Sequence, residues 1–253
     1  MGTSASIGTP TNGNWSNAKR EIKRVATNGV NDSSVERIIR ETVRGITGQR
    51  RGAERGVGTG VGNGTFISDG AKISAARSIG FMQFARDSNF QTALQGIGIS
   101  EFTGYDSTEL ISILVNAIIE GAFLLDKEII SNSLIEIFQD ILGDDVNEFD
   151  KKLEEYWTTH GTNEFIKAFL KYYCERLVLH KLTDAVLERI SKSGDTNALT
   201  NSIALSVDVK VDSAVDDITS KRTFDEVDWF GNEGRNIMDD IANNIAETIE
   251  AMI

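Results

Sequence analysis

The chain has 253 residues, 40% hydrophobic and 25% charged, enough for a soluble protein to bury one good-sized core or two small ones. A single cysteine, Cys174, excludes an internal disulfide and any thiolate-rich zinc site, which suits a reducing cytoplasm. The net charge of −12 is unevenly placed: residues 1–60 hold ten Lys/Arg against five Asp/Glu, a surplus of +5, so the remainder carries −17. A body that acidic repels phosphates; direct nucleic-acid binding is disfavoured, and the basic N-terminal part is read as meeting acidic protein surface.

No secretory signal is expected, because the first apolar run comes too late and is too broken. The longest apolar stretch, Leu110 to Leu125, falls short of the roughly 20 residues that span a bilayer and is interrupted by Ser112, Asn116 and Glu120. It reads as a core helix.

In chain order, Met1-Gly2-Thr3-Ser4-Ala5-Ser6 opens a small, polar leader that runs to Asn14. Gly2 is small enough for initiator Met1 to be trimmed, which would present a glycine amine. An α-amino group titrates near pH 7.7–8.0, so a useful fraction is neutral and nucleophilic in cytoplasm. Without a Cβ, glycine also enters narrow sites. The same residues fit the spacing of an N-myristoylation signal through Ser6, and equally fit an inert tail.

Trp15 to Thr27 predicts a short basic helix capped by Ser16 and ended by Asn28-Gly29. Asp32 to Ile46 predicts a second, with Val35, Ile38, Ile39, Val43 and Ile46 at helical spacing, Asp32 and Ser33 as caps, and a stop at Gly48. Eight glycines follow between Gly45 and Gly64. A phosphate cradle would need a preceding strand or a Gly-Lys-Ser/Thr sequence, and neither is present. The stretch is read as a flexible linker.

Beyond it the periodicity is helical. Residues 70–87 carry Ile73, Ala76, Ile79, Met82 or Phe81, and Phe84; a shorter helix covers Phe90 to Ile97. Asp106-Ser107-Thr108-Glu109 caps an apolar helix 107–122, whose only polar stripe is Ser112, Asn116 and Glu120, and which is expected to be central. Asp126 to Leu142 closes at Gly143. The acidic stretch Asp144 to Glu155 allows a subdivision near 143–147, with Phe149, Leu153, Tyr156 and Trp157 suggesting an amphipathic helix through it. A long helix from Asn163 to Ile190 places Phe165, Phe169, Tyr172 or Tyr173, Arg176 or Leu177, and His180 on one face, a stripe that suits core packing better than a cofactor. At 203–211 two periods compete. Ile203, Leu205, Val207, Val209 and Val211 alternate like a strand, whereas Leu199, Ile203, Val207, Val211, Ala214 and Ile218 form a helical stripe; with no partner strand nearby, helix is preferred. Val227 to Gly234 is a turn, anchored by Trp229, that feeds a last helix with Ile237, Ile241, Ile245 and Ile249 inward and Asp239, Asp240, Glu247 and Glu250 outward.

The expected architecture is therefore mainly α: a flexible basic N-terminal arm with two short helices and a Gly-rich linker (1–66), then an acidic multi-helix body (67–253), with one short strand near 203–211 as the remaining option. Catalytic signatures are missing from the sequence: there is no nucleophile elbow, no HExxH and no paired-cysteine site. Cys174 and His180 stand about 120° apart around a helix and cannot chelate one metal alone. His180 and Asp184 read as a helix-surface contact, and the pairs Asp144/Asp145, Asp216/Asp217 and Asp239/Asp240 as solvated faces. Neither catalytic nor metal-binding residues are assigned, and no enzyme is expected.

Two terminal motifs, Met1-Gly2-Thr3-Ser4 with its polar leader to Trp15 and Asp228-Trp229-Phe230-Gly231-Asn232-Glu233-Gly234 before an acidic helix, together resemble the QatB family of the bacterial Qat anti-phage defence systems. The resemblance implies a cytoplasmic, non-catalytic, membrane-free protein beside the ATPase QatA, the QueC-like enzyme QatC and the TatD-like nuclease QatD. It implies that QatC uses ATP, zinc and a 7-deazaguanine base, activates the base's carboxylate and passes it to an N-terminal glycine amine. In this sequence that modification site is Gly2, with Thr3 and Ser4 as partner-recognition residues. No cofactor is expected on this chain itself. The alternative is an unmodified scaffold that bridges the ATPase and the nuclease.

Overall fold

The computed structural model describes residues 13–47, 65–100, 104–120, 126–190, 196–221, 224 and 227–251; in that set there are ten α-helices, one 3₁₀ turn and no strand. The mainly α expectation holds. The leader before Gly13, including Gly2, Thr3 and Ser4, and the glycine-rich 48–64 lie outside the described residues. The fold divides into two compact units that are discontinuous in sequence. One takes the described residues up to Ser68 together with Cys174–Ala214 and residues from Ala242 onward; the other takes Asp69–Tyr173 and Val215–Ile241.

The first unit begins with α1 (Gly13–Asn28) and α2 (Asp32–Thr47). Gly29, at φ +87°, accepts a backbone conformation that side-chain-bearing residues resist, and the chain reverses there. The pair is antiparallel: Asn14 donates to the Arg44 carbonyl (3.3 Å) and Asn17 to the Glu41 carboxylate (3.1 Å). Ser16 is not a cap, since α1 has already begun at Gly13, and α2 is capped by the Asn31 side chain, which accepts from the Ser34 amide (3.0 Å). Ile22, Ile38, Ile39 and Val43 are fully buried, so these basic helices are packed elements. Part of their charge is used internally: buried Glu41 lies 3.6 Å from Arg40 and 3.5 Å from Arg44.

The strand-or-helix question resolves in α9 (Thr196–Thr219). Leu199, Ile203, Val207 and Val211 are buried completely, while Leu205 and Val209 are 67% and 62% exposed. A strand would have put Ile203, Leu205, Val207, Val209 and Val211 on one face; a 100° turn per residue separates them. α10 (Asn232–Glu250) contributes Ile245 and Ile249 to this unit, and Asn244 donates to the Ala214 carbonyl (3.1 Å). Glu250, expected to face outward, is half-buried, and its Oε1 has no hydrogen-bond partner. Burial pushes its carboxyl above the ordinary value, with Glu247 adding to the rise and Arg44 opposing it. A raised carboxyl pKa supports the fold only below the ordinary carboxylate pKa of about 4.3, and that support is lost as pH climbs through the raised value. Glu250→Gln is therefore expected to melt higher than the parent at pH 7, the gain shrinking toward pH 4, as read by thermal denaturation at both pH values.

The second unit is built on α3 (Asp69–Asp87), not on the apolar α5 (Ser107–Ile119). Helices α4 (Phe90–Gly96), α5, α6 (Lys127–Leu142) and α7 (Phe149–Thr159) all pack on α3. The reason is size: Ala71, Ser74, Ala75, Ala76, Ser78 and Gly80 are buried along α3 and let neighbours approach, whereas Asn116 and Glu120 keep one side of α5 in solvent. An aromatic chain fills the centre, with Phe81–Phe90 at 5.5 Å, Phe90–Phe149 at 5.2 Å and Phe138–Phe165 at 6.1 Å. The predicted capping cluster forms a reciprocal box, Asp106 accepting from the Glu109 amide (2.8 Å) and Glu109 from the Asp106 amide (3.2 Å). Gly143 closes α6 at φ +71°. The long α8 (Gly161–Ile190) sends Phe165, Phe169 and Tyr173 into this core, as its stripe predicts, with His180 exposed.

Candidate functional site

Gly2, Thr3 and Ser4, the expected modification and partner-recognition residues, lie outside the described residues. Three other features bear on function: the reactive side chains, the turn before α10 and a groove between α2 and α9.

Cys174 is wholly buried, and burial, helped by the nearby charge of Asp208, pushes its thiol far above the ordinary range. It is an inert core residue. The His180–Asp184 contact lies outside the described side chains, and no group of three His, Cys, Asp or Glu able to hold a metal occurs among the described residues. Among the described residues no helix is long and apolar enough to cross a membrane.

The acidic pairs are exposed as expected, except for the half-buried Asp239, and several of them also make contacts. Asp145 caps the 3₁₀ turn Val146–Glu148 by accepting from the Asn147 amide (2.9 Å). Asp216 pairs with Lys167 (2.7 Å), which also reaches Glu164 (3.1 Å). Asp239 meets the Lys72 ammonium at 2.5 Å; that lysine is 5% exposed and also binds Asp69 at 2.6 Å. Burial pulls the Lys72 pKa down, and the hydrogen bonds and charges of Asp239 and Asp69 outweigh it, so the net shift is upward. These carboxylates clamp helices together; sequence periodicity put Asp239 on the outer face and could not show a lysine 167 residues away.

The turn that carries the family-like motif is a self-bonded unit. Asp228 accepts from the Gly231 amide at its side chain (3.1 Å) and from the Gly234 amide at its carbonyl (3.1 Å), while the Glu233 carboxylate accepts from the Asp228 amide (3.4 Å). Trp229 is buried as predicted, its Nε1 donating to the Phe224 carbonyl (3.4 Å). A Cβ at Gly234 would stand 2.7 Å from the Trp229 Cα, so only glycine fits. Phe230 is thereby laid across Gly80 of α3 with 57% of its surface exposed. One turn along α3, Phe84 is exposed rather than core-facing, its ring against Gly96.

The groove in the first unit has a volume of about 300 Å³. Val35, Leu205 and Val209 line it, with Asp32 and Glu36 on its α2 side and Lys210, Ser202 and Ser206 on its α9 side. The competing strand period hid this surface; the signal in the sequence was that Leu205 and Val209 fall off the helical stripe.

The described residues are all helix and connecting turn, and carry exposed apolar and aromatic side chains at Phe84, Leu205, Val209 and Phe230. A family model described as Qat anti-phage system associated protein QatB matches residues 60–249. The chain belongs to the QatB family. No curated protein and no solved structure gives a significant match.

Proposed function

We propose that this chain is a non-enzymatic component of a bacterial Qat anti-phage system, working in the cytoplasm, whose Gly2, once Met1 is removed, accepts a 7-deazaguanine group from the QueC-like enzyme QatC. Membership of the QatB family is the observation that carries the reading. The composition of the leader supports it, with Gly2 followed by the small polar Thr3 and Ser4, which would enter the partner's site. The burial of Cys174 supports a role without catalysis on this chain. In the proposed step the neutral glycine nitrogen attacks the activated carboxyl carbon of the base. An amide bond forms, the bond from that carbon to the ATP-derived activating group breaks, and the amine's proton passes to solvent. ATP, zinc and the base all belong to the partner.

The test is the intact mass and N-terminal peptide of the protein made with and without QatC. A mass increase confined to Gly2 and dependent on QatC is expected, and Gly2→Val, which puts a branched side chain beside the nucleophile, should abolish both the adduct and protection from phage. Full protection by Gly2→Val would sink the proposal. The exposed Phe84, Phe230, Leu205 and Val209 favour a second reading, an unmodified scaffold joining QatA and QatD. Under it, deletion of residues 2–12 leaves defence intact.

A further inference from the structure

Leu205 and Val209 are the two most exposed large hydrophobic side chains among the described residues. They sit one helical turn apart on α9, beside a groove whose α2 side carries two carboxylates, Asp32 and Glu36, and whose α9 side carries one ammonium, Lys210. None of these three charges forms an ion pair with another or with any other residue described. Opposite charges that share one groove without pairing inside the chain are available to pair across an interface.

A two-fold interface brings the same surface from both partners, so residue i meets j and j meets i. This surface is self-complementary in that sense. Two α9 faces meeting in antiparallel fashion put Leu205 of each copy against Val209 of the other and carry each Lys210 toward the other copy's Asp32 and Glu36. The apolar centre with a charged rim is the layout of a protein interface. Desolvating four exposed aliphatic side chains supplies the driving force, and the lysine–carboxylate pairs set the register. At physiological ionic strength charges beyond about 8 Å are screened, so the chain's net −12 opposes local contact weakly.

We propose that the α9 face beside this groove is a homodimer interface, meeting the same face of a second copy of this chain, with Leu205 and Val209 at its centre and Lys210–Glu36 and Lys210–Asp32 pairs at its rim. It goes beyond the modification reading and needs neither the leader nor a Qat partner.

Sedimentation equilibrium of the full-length chain over a range of concentrations tests it. The parent should approach twice the monomer mass, and Leu205→Asp should weaken self-association by at least about ten-fold, since each copy then buries a charge against the other. Lys210→Glu and Glu36→Lys should each weaken it alone. Their equimolar mixture should recover association in part, because only between unlike chains are both 210–36 contacts again opposite in charge. All of these positions line the groove, so circular dichroism should show unchanged helicity. A parent that stays monomeric overturns the proposal, as does a dimer indifferent to Leu205→Asp or a mixture no tighter than its components. A monomeric parent whose Leu205→Asp variant loses a Qat partner would assign the groove to that partner.

Discussion

Trp229→Ala is expected to destabilise the protein by about 3–5 kcal/mol, the range for truncating a large buried aromatic, and to lower its melting temperature by roughly 10 °C. Three contacts go at once. The indole meets Phe224 edge-to-face, with ring centroids 5.7 Å apart and planes at 83°. Its N–H donates to the Phe224 carbonyl, and its ring packs on Gly234. The carbonyl keeps Gln83 as a donor at 3.4 Å, so the loss is dominated by the cavity. Gly234→Ala should reach a similar outcome from the opposite side: its new Cβ would lie 2.7 Å from the Trp229 Cα, where only backbone movement gives relief. Either substitution also releases Phe230 from Gly80 and so disturbs a surface without touching it. Thermal melts of the two variants settle the point; a melting temperature within a degree of the parent for Trp229→Ala would show that the turn is not packed as described.

That turn was legible in the sequence, and the reason is local. Aspartate, glycine and tryptophan within seven residues prescribe a hydrogen-bonded reversal and a large apolar anchor, both satisfied by neighbours in the chain. The caps at Asp106/Glu109 and Gly143, and the inward isoleucines of α10, were readable on the same ground. What periodicity could not convey was which helix others would choose as a platform. α5 is the more hydrophobic cylinder, yet α3 holds the centre, because small residues govern how closely helices approach while hydropathy only says that a face is buried. The surface carboxylates have a second role that was illegible for a related reason. Asp216 and Asp239 look like solvated faces in one helix, and become ion-pair partners only when α8 and α3 bring Lys167 and Lys72 to them.

The candidate sites divide along the same line. The glycine amine proposed for modification is a property of covalent sequence and needs no fold to be suspected. The groove is a property of two helices joined by nothing local, α2 supplying Asp32, Val35 and Glu36 and α9 supplying Leu205, Val209 and Lys210. Its apolar pair was visible, but in the strand reading Leu205 and Val209 belonged with the buried Ile203 and Val207. Only the helical rotation that buries the latter pair turns the former outward.

The second large effect is expected at a single hydroxyl. Tyr173 is completely buried in α8, stacked on Phe169 at 5.9 Å, and its O–H donates to the carboxylate of Asp126, itself buried just ahead of α6. Tyr173→Phe changes the packed volume by one oxygen and leaves the ring stack in place. The loss is therefore electrostatic: a buried carboxylate gives up a donor it cannot replace with water. Hydrogen bonds to charged groups contribute about 1.5–3 kcal/mol, and leaving a buried charged acceptor short adds to that, so a cost of about 2–3 kcal/mol is expected. Asp126→Ala strips the same bond from the other side. If the bond is what each variant loses, the double variant Tyr173→Phe/Asp126→Ala should cost clearly less than the two singles together, with a coupling above about 1 kcal/mol in a double-mutant cycle read by denaturant unfolding. Strict additivity would mean that the two side chains stabilise the fold independently, through packing alone.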